Sequence, residues 1–420
     1  MEYTPGQDWY KRLHWQVFVA MVVGVLIGYS PAGGFFADNF GWLGTLFMRL
    51  LKMIIVPLVI TSIIAGVASA GGGRVVGRMF GKTLTYYMVS SFLAALTGLI
   101  LFNLFSPGRG YPITDTGTEP PDLAVPDSFK DLLLDIVPTN FLGSATAGDM
   151  LGIIFFCIVF GVAVTTLPEG TRTKVTGLVD ALFRAMMALT RGIIKLLPIG
   201  VFALMVTLVS GTGLKAFGNL AQYAAALGTG LGIHFFITLP LLLYFWARVS
   251  PWKHAMNMRE PLLVAFSTSS SAATLPVTLT TVRKKVGVSD RVSSFTLPMG
   301  ATVNMDGTAV MECVGALFIA QALGADIGFM TQVVVVFTAL LASIGAAAVP
   351  SAGLVVIFII LGAIGIGDNP EAMLIVGAML SIDRPLDMAR TAVNVYSDSC
   401  AAAVVGRWEG EEGIDAEIRT

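Results

Sequence analysis

The chain carries little charge for its length. Only 13% of its 420 residues are Asp, Glu, Lys or Arg, whereas soluble domains carry about 25%. The mean hydropathy is +0.79, and long apolar runs recur from one end of the chain to the other. This pattern argues against a soluble enzyme with one membrane anchor. It predicts an all-α polytopic membrane protein.

Basic charge, cysteine and histidine are also scarce. The formal net charge of −1 argues against nucleic acid as a partner. The cysteines lie in apolar segments without C-x-x-C spacing and are expected to pack as small apolar residues: Cys157, Cys313 and Cys400. The histidines are scattered along the chain and predict no metal cluster: His14, His234 and His254.

The first 250 residues show six apolar runs of membrane-spanning length. They predict helices at residues 13–30, 40–70, 79–105, 148–167, 171–210 and 215–247, the fifth interrupted at Pro198. The acidic, Pro-rich segment 106–140 is expected to be an external loop. Lys11 and Arg12 precede the first helix and place the N-terminus in the cytoplasm, and the charged tail after Arg407 is expected there too.

After residue 250 the apolar segments are broken by polar residues. Hydroxyl side chains interrupt residues 259–283, which predict a re-entrant hairpin, because irregular backbone at membrane depth has to face protein or a cavity. A seventh helix, 288–323, is broken at residues 304–308. A second hairpin is expected at 330–365 and an eighth helix at 370–406. The two hairpin-and-helix units start from opposite sides, an inverted repeat that points to a transport site near the membrane midplane.

The eighth helix carries a polar stripe. Asp387, Arg390, Thr391, Asn394 and Asp398 follow the spacing i, i+3, i+4, i+7 and i+11, which places them on one helix face. Each charge at the bilayer centre costs roughly 2.5 kcal/mol or more, so the stripe has to face protein, water or a ligand. An internal ion pair between Asp387 and Arg390 is the simpler alternative, but it leaves Asn394 and Asp398 unexplained. The stripe predicts a site for a zwitterion and a cation.

Three polar motifs of this half resemble those of one known family. They are Ser269-Ser270-Ser271 with Thr274-Leu275-Pro276, then Asn304-Met305-Asp306-Gly307-Thr308, then Asp387-Met388-Ala389-Arg390-Thr391-Ala392-Val393-Asn394. Together with Pro198-Ile199-Gly200-Val201-Phe202, they resemble the dicarboxylate/amino acid:cation symporters, also called glutamate transporter homologues. The resemblance covers nearly the whole chain.

The resemblance implies eight transmembrane helices plus two re-entrant hairpins with inverted repeats. It implies a homotrimer in the inner (plasma) membrane, with a static scaffold and a transport domain that moves like an elevator. Scaffold helices would occupy residues 1–78 and, with the external loop, 107–212. The transport domain would comprise 79–106 and 213–408, and 409–420 would form a cytoplasmic tail.

The resemblance also assigns substrate-binding roles. Arg390 would hold the side-chain carboxylate of the substrate, because its planar fork suits a carboxylate. Asp387 would hold the α-amino group, and Asn394 and Ser271 the α-carboxylate. Relatives that carry neutral amino acids usually lack the arginine, so its presence favours L-aspartate or L-glutamate. Further contacts would come from Ser270, Thr308, Val349, Gly353 and Thr391.

Three sodium sites follow from the resemblance. Asp398 would form one with Asn304 and the carbonyls of Gly300 and Asn394. Asp306 would form a deeper one with Asn304, Tyr87, Ser90 and Ser91. The third would use carbonyls of Thr302, Ser343, Ile344 and Ala346. The alternative for Asp306 is a structural carboxylate satisfied by the hydroxyls of the third helix.

Two further expectations concern coupling and gating. Glu312 lies in an apolar helix four residues after Thr308. Animal relatives have Glu at this place, associated with proton and potassium coupling, so proton co-transport or potassium counter-transport is expected; the alternative is a glutamate that only packs. The second hairpin would act as the outer gate, although Ala348 and Ser351 stand where many members have Gly.

Other functions fit less well. A C4-dicarboxylate:cation symporter would use Arg390 but would leave Asp387 without an ammonium group to bind. An intramembrane hydrolase would need a base beside Ser269 to Ser271, and no motif supplies one. An ion channel is disfavoured by the two gated hairpins. The sequence therefore predicts a carrier and not an enzyme.

Overall fold

The computed structural model describes residues 13–68, 74–112, 120–126, 128–147, 149–345 and 352–415. The regular structure within these ranges is helical. The long helices of the first half are α1 (Leu13–Tyr29), α2 (Gly33–Ala68), α3 (Arg74–Phe105), α6 (Met150–Thr165), α7 (Glu169–Ile194), α8 (Leu197–Thr212), α9 (Ala216–Ile233) and α10 (Leu239–Ala247). Two short helices, α4 (Phe129–Asp135) and α5 (Phe141–Ala147), lie between α3 and α6.

Two helix breaks in this half have a local cause. α7 and α8 meet at a 50° bend, where the fifth helix was expected to be interrupted. Pro198 lies in the first turn of α8, where its missing N–H is tolerated. Between α9 and α10 a π-helical turn, His234–Thr238, precedes Pro240. Such turns re-aim side chains within an otherwise continuous helix.

The second half contains the two expected pairs of broken helices. α11 (Pro251–Thr268) and α12 (Ser271–Thr281) pack against each other. The turn between them contains Ser269 with a left-handed backbone, φ +50°. A second π-helical turn, Val282–Val286, follows α12. α15 (Phe329–Gly345) and α16 (Ala352–Ala363) form the other packed pair. We refer to these two packed pairs as the first and the second hairpin.

The helix after each pair differs in continuity. The helix after the first pair is split into α13 (Asp290–Val303) and α14 (Asp306–Ala322) at Asn304 and Met305, within the predicted break. The helix after the second pair, α17 (Pro370–Trp408), is continuous although it contains Pro385. The polar stripe therefore lies on one unbroken helix.

The length and apolarity of the helices are those of a polytopic membrane protein. Four helices of the described residues are long and apolar enough to cross a membrane, and the bent α7–α8 pair would make a fifth. Shorter apolar helices lie at residues 15–29, 150–165 and 329–343. Large apolar side chains such as Leu26, Leu104 and Phe236 are exposed, as expected of a surface that contacts lipid.

Two groups of helices position the site. α1, α2 and α8 pack together, and α6 and α7 pack on α2. α14 lies at the centre of the other group, in contact with α3, α9, α15, α16 and α17, and nearly all its residues are buried. Because α14 and α17 are both buried, the polar residues on their facing sides can be satisfied only by each other, by neighbouring helices or by a ligand.

Candidate functional site

Arg390 lies at the centre of the stripe on α17 and is 1% exposed. Its Nη2 contacts Asp387 Oδ1 at 2.8 Å and Asp383 Oδ1 at 3.1 Å. Its Nε and Nη1 have no hydrogen-bond partner among the described residues. The ion pair considered as the alternative is therefore present, but it engages only one guanidinium nitrogen. A buried guanidinium with unused donors is able to receive a further anion.

The free side of Arg390 faces the second hairpin. A Cβ built on Gly353, in the first turn of α16, would lie 2.9 Å from Nη1 of Arg390 and 2.5 Å from Cε of Met311. Only glycine fits between these groups without displacing one of them. Val349, which was expected to contact the substrate, lies outside the described residues.

Asp387 is held from several directions. Arg384 Nη1 approaches its Oδ2 at 3.4 Å from a half-exposed position, and the Thr391 hydroxyl donates to its backbone carbonyl at 2.9 Å. The carboxylate therefore lies between two guanidinium groups on its own helix. An ammonium group that binds Asp387 would compete with these contacts.

Asn394 connects α17 to α14. Its Oδ1 accepts a hydrogen bond from the Gly307 backbone N–H at 2.8 Å. A Cβ on Gly307 would lie 2.9 Å from the Cα of Arg390, so the two helices touch through their backbones. Thr308 and Thr391 are both buried. The structure thus brings the expected Thr308, Thr391 and Asn394 to one helix crossing.

The first hairpin packs against the helix that carries the polar stripe. Ser270 caps α12, with its Oγ accepting from the Ala273 N–H at 3.3 Å. Ser271 is buried in the first turn of α12, and α12 packs against α17.

Asp306 is fully buried in the first turn of α14 and is contacted by four side-chain donors. Its Oδ1 accepts from Ser91 Oγ at 2.7 Å and from Ser90 Oγ at 3.2 Å, as both were expected to lie beside it. Its Oδ2 accepts from Ser397 Oγ at 2.6 Å and from His234 Nε2 at 3.0 Å. His234 projects from the π-helical turn after α9.

Asp398 is linked to Asp306 by a continuous chain of hydrogen bonds. Asn304 Nδ2 donates to Asp398 Oδ1 and to Ser397 Oγ, both at 2.9 Å, and Ser397 in turn donates to Asp306. No Lys or Arg of the described residues forms an ion pair with either carboxylate. Two buried carboxylates linked through amide and hydroxyl groups present the oxygen-rich environment that a hard cation requires.

Tyr87 lies at the Asp398 end of this chain. It was expected beside Asp306, but its hydroxyl donates to the Thr296 carbonyl at 2.8 Å. A Cβ on Gly300 would lie 2.5 Å from that hydroxyl and would also clash with Asp398 Oδ1. Gly300, Tyr87 and Asp398 therefore converge on one point.

Three of the residues expected for a third cation, Thr302, Ser343 and Ile344, lie on α13 and α15, which pack together; the fourth, Ala346, lies outside the described residues. The Thr302 hydroxyl donates to the Met299 carbonyl at 3.0 Å and the Ser343 hydroxyl to the Leu340 carbonyl at 2.9 Å. Ile344 is the penultimate residue of α15. The hydroxyl protons of Thr302 and Ser343 are donated within their own helices. Their oxygen atoms can therefore act towards a ligand only as acceptors.

Glu312 is fully buried on α14, and neither of its carboxyl oxygens has a hydrogen-bond partner among the described residues. A charged carboxylate without a donor or a cation is costly in such a place. The group therefore fits a neutral acid or the partner of a transient cation.

Three residues of the network were missed by sequence reasoning. Asp383 lies one turn before Asp387, so the same helical period could have included it. Ser397 adjoins Asp398 but is one hydroxyl among many. His234 gave no local signal, because its partner Asp306 is 72 positions away in the chain.

Comparisons with known proteins concern almost the whole chain. The family model of the sodium:dicarboxylate symporter family matches residues 13–408. The proton/sodium-glutamate symport protein of Bacillus subtilis (strain 168) is 33% identical and covers 94% of this chain and 92% of its own. The proton/glutamate-aspartate symporter of Escherichia coli (strain K12) is 32% identical, over 94% of this chain and 93% of its own. The neutral amino acid transporter B(0) of Bos taurus is 34% identical, over 92% and 78%.

Proposed function

The chain belongs to the sodium:dicarboxylate symporter family, and from this we propose that it couples inward flow of Na⁺ to uptake of L-aspartate or L-glutamate. The observation that carries the proposal is the pairing of two features within one buried network. Asp306 and Asp398 lack a Lys or Arg partner among the described residues, and Arg390 nearby on α17 has unused donors. The two carboxylates favour binding of a cation, and the unused donors of Arg390 favour binding of an anion.

The proposed cation sites follow from the negative charge of two buried carboxylates, Asp306 and Asp398. An uncompensated buried carboxylate costs several kcal/mol, and a bound Na⁺ removes that cost at Asp306 and at Asp398. The ligands proposed for these two sites are Tyr87, Ser90, Ser91, Gly300, Asn304, Asp306, Asn394 and Asp398. Thr302, Ser343, Ile344 and Ala346 are proposed for a third site next to the second hairpin.

The substrate assignment follows from an exchange of ion pairs. The side-chain carboxylate of the substrate would bind the free side of Arg390, and its ammonium group would bind Asp387, which now pairs with Arg390. Asn394 and the tip at Ser270 and Ser271 would hold the α-carboxylate. Because a neutral amino acid transporter is as similar overall as the glutamate symporters, Arg390 carries the choice of an acidic substrate.

A C4-dicarboxylate is the second candidate. It would satisfy Arg390 but would leave Asp387 without an ammonium group to bind. Cation coupling would be unchanged, so the two candidates differ only in whether an ammonium group is required.

The proposed mechanism is an elevator in a homotrimer. Helices α1, α2 and α6–α8 would form the static scaffold (residues 1–78 and 107–212), and residues 79–106 and 213–408 the moving domain. The close packing of α1 and α2 against α8 supports this division. The second hairpin would act as the outer gate, closing over Arg390 at Gly353. We place the protein in the plasma membrane, inner in bacteria, with both termini in the cytoplasm.

Glu312 is proposed to couple a proton or K⁺ to the cycle. Its burial without hydrogen-bond partners supports a group that is neutral when protonated and needs a cation otherwise. A Glu312→Gln variant would keep Na⁺-dependent binding of substrate and would lose proton uptake, or K⁺-dependent return.

Uptake into proteoliposomes tests the proposed function. Labelled L-aspartate would be supplied with an inward Na⁺ gradient, with L-glutamate, succinate and L-serine as competitors. Na⁺-dependent uptake that glutamate blocks and serine and succinate do not would support the proposal. Inhibition by succinate as strong as that by glutamate would favour the dicarboxylate, and uptake indifferent to Na⁺ would overturn the roles of Asp306 and Asp398.

A further inference from the structure

Met311 lies on the side of α14 that faces α16, and its side chain is fully buried. Its terminal methyl group comes close to Gly353 in the first turn of α16, because a Cβ built on that glycine would lie 2.5 Å from Met311 Cε. The same Cβ would lie 2.9 Å from Nη1 of Arg390, which has no hydrogen-bond partner among the described residues. The methionine methyl and the unused donor of the arginine therefore border the same small space.

Two reciprocal contacts fix how α16 lies on α14. Met311 faces Gly353, and one turn further along both helices Gly315 faces Ile357, with a Cβ on Gly315 lying 2.6 Å from Ile357 Cδ1. A large side chain therefore meets a glycine at each level, first from α14 and then from α16. Such interlocking holds two packed helices in one register. The place of Met311 beside Arg390 is thus set by the packing of two helices.

The side of Arg390 that can receive an anion is the side that Met311 borders. Asp383 and Asp387 both contact Nη2 of Arg390, so a further carboxylate has to bind through Nε and Nη1. Nη1 is the nitrogen that lies next to Gly353 and to the methionine methyl. A carboxylate that binds there enters the space beside the end of the Met311 side chain.

Methionine suits a space whose contents change in size. The side chain is unbranched and has three rotatable bonds, so its end can move without displacing the backbone. A β-branched side chain would be held in one rotamer on a helix. The thioether of Met311 carries no charge and is only a weak acceptor, so it does not compete with a carboxylate for Arg390. Its end can therefore approach or withdraw according to the length of the side chain that Arg390 receives.

Packing alone is the simpler role for a buried methionine, since methionine fills irregular gaps in protein interiors. A residue that only packs affects the stability of the protein and acts equally on every substrate. A residue that borders the carboxylate site acts differently on substrates of different length. The two roles of Met311 are therefore distinguished by the ratio of the affinities for two substrates.

We propose that Met311 is a specificity-determining residue, whose movable end adjusts the space beside Arg390 so that both L-aspartate and L-glutamate bind. The inference rests on the proposed function for its substrates. L-Glutamate is longer than L-aspartate by one methylene group, and an apolar pocket discriminates by about 10- to 200-fold between ligands that differ by one methylene. Because Met311 adapts, the dissociation constants of the two amino acids are expected to differ by less than about ten-fold in the unmodified protein.

Equilibrium binding to the purified full chain at saturating Na⁺ tests the proposal. The measured quantity is the ratio of the dissociation constants of L-aspartate and L-glutamate. Met311→Ala removes the movable end and leaves room for a further methylene, so the ratio is expected to shift in favour of L-glutamate by about ten-fold. Gly353→Ala adds a methyl group to the same space, and its expected shift is in favour of L-aspartate.

The double variant and a matched control separate this role from packing. Combining Met311→Ala with Gly353→Ala is expected to bring the ratio back towards that of the unmodified protein, because the added methyl occupies part of the space that the methionine leaves. Met205→Ala is the control, since Met205 is an equally buried methionine on α8, packed against Gly24 of α1. It is expected to lower the unfolding midpoint without changing the ratio. A ratio that is unchanged in Met311→Ala, or equally changed in Met205→Ala, would overturn the proposal.

Methyl NMR tests the proposal with the site intact. The unmodified protein would carry ¹³C-methyl methionine, and the signal of Met311 would be assigned from Met311→Leu, a change that nearly conserves volume. The Met311 signal is expected at three different positions: without substrate, with L-aspartate and with L-glutamate. One position in all three states would overturn the proposal even if Met311→Ala failed to fold. Absence of Na⁺-dependent binding of both amino acids to the unmodified protein would instead overturn the proposed function, and this inference with it.

Discussion

At the scale of single residues, the substrate site depends on the hydrogen-bond donors of Arg390. Arg390 uses Nη2 for two carboxylates and keeps Nε and Nη1 unpaired within the described residues. A planar fork suits a carboxylate in a way that a single ammonium does not. The geometry of the group therefore matters as much as its charge.

The first prediction tests this geometry. Arg390→Lys keeps the positive charge but loses the fork, and we expect the affinity for L-aspartate to fall about 10- to 100-fold, the range of a charged hydrogen bond. Arg384→Lys is the matched control, since Arg384 is partly exposed and, within the described residues, forms its ion pair with Asp387; a change of less than about three-fold is expected there. Binding isotherms at saturating Na⁺ measure both. Equal losses in the two variants would contradict the assignment.

The second prediction concerns His234, the donor that sequence reasoning missed. His234→Ala leaves Asp306 Oδ2 with Ser397 as its remaining donor, and a buried acceptor that loses a partner costs about 1–3 kcal/mol. We expect the half-saturating Na⁺ concentration to change by about ten-fold. His234→Gln can restore an N–H donor and should recover part of the change. A half-saturating Na⁺ concentration that is unchanged in His234→Ala would show that the Asp306 contact does not affect Na⁺ binding.

At the scale of elements, the site depends on how closely helices approach. α14 and α17 touch at Gly307, where a Cβ would lie 2.7 Å from the Arg390 carbonyl oxygen. α16 approaches Arg390 through Gly353 in the same way. The backbones of α14 and α16 therefore approach the polar stripe of α17 at these two glycines.

The third prediction follows from this contact. Gly307→Ala forces α14 and α17 apart, and overpacking of this kind destabilises a protein by about 1–3 kcal/mol. Gly228→Ala is the control, because nothing lies within 4 Å of a Cβ at that position in α9, and alanine favours the helix. Thermal unfolding in detergent is expected to show a lower midpoint for Gly307→Ala alone. An unchanged unfolding midpoint in Gly307→Ala would show that α14 and α17 can move apart without loss of stability.

At the scale of the whole molecule, the segment that follows α17 contacts helices from distant parts of the chain. Glu409 follows α17, and its cationic partners lie on α3 and α13. Hydrogen bonding from Arg78, with further contributions from Lys82, lowers the pKa of the Glu409 carboxyl. Burial opposes this shift but does not outweigh it.

The fourth prediction is the acid sensitivity of this connection. Because the folded-state pKa of Glu409 lies below its ordinary value of about 4.3, its contribution to stability is present above that value and is lost as the pH falls through the folded-state pKa. Glu409→Gln is expected to lower the unfolding midpoint at neutral pH and to reduce the further loss in acid. Glu412→Gln, an exposed neighbour, should follow the unmodified protein. Parallel acid profiles for Glu409→Gln and the unmodified protein would exclude this role.

Much of the architecture could be read from hydropathy and helical period alone. The apolar runs located the long helices, and proline and hydroxyl residues marked the breaks at Pro198, at Ser269 and at Asn304. Helix ends were less predictable. α2 begins at Gly33 and not near residue 40, since adding residues to a helix that is already formed is easier than nucleating one.

The sequence by itself determined which residues share one helix face, because the helical period is a local property of the chain. It therefore placed Asp387, Arg390, Asn394 and Asp398 together. Only the tertiary structure decided the partners. His234 meets Asp306 across 72 positions, and Asp415 meets His254 across 161. Contacts at such separations depend on how whole helices pack, and no local pattern in the chain encodes them.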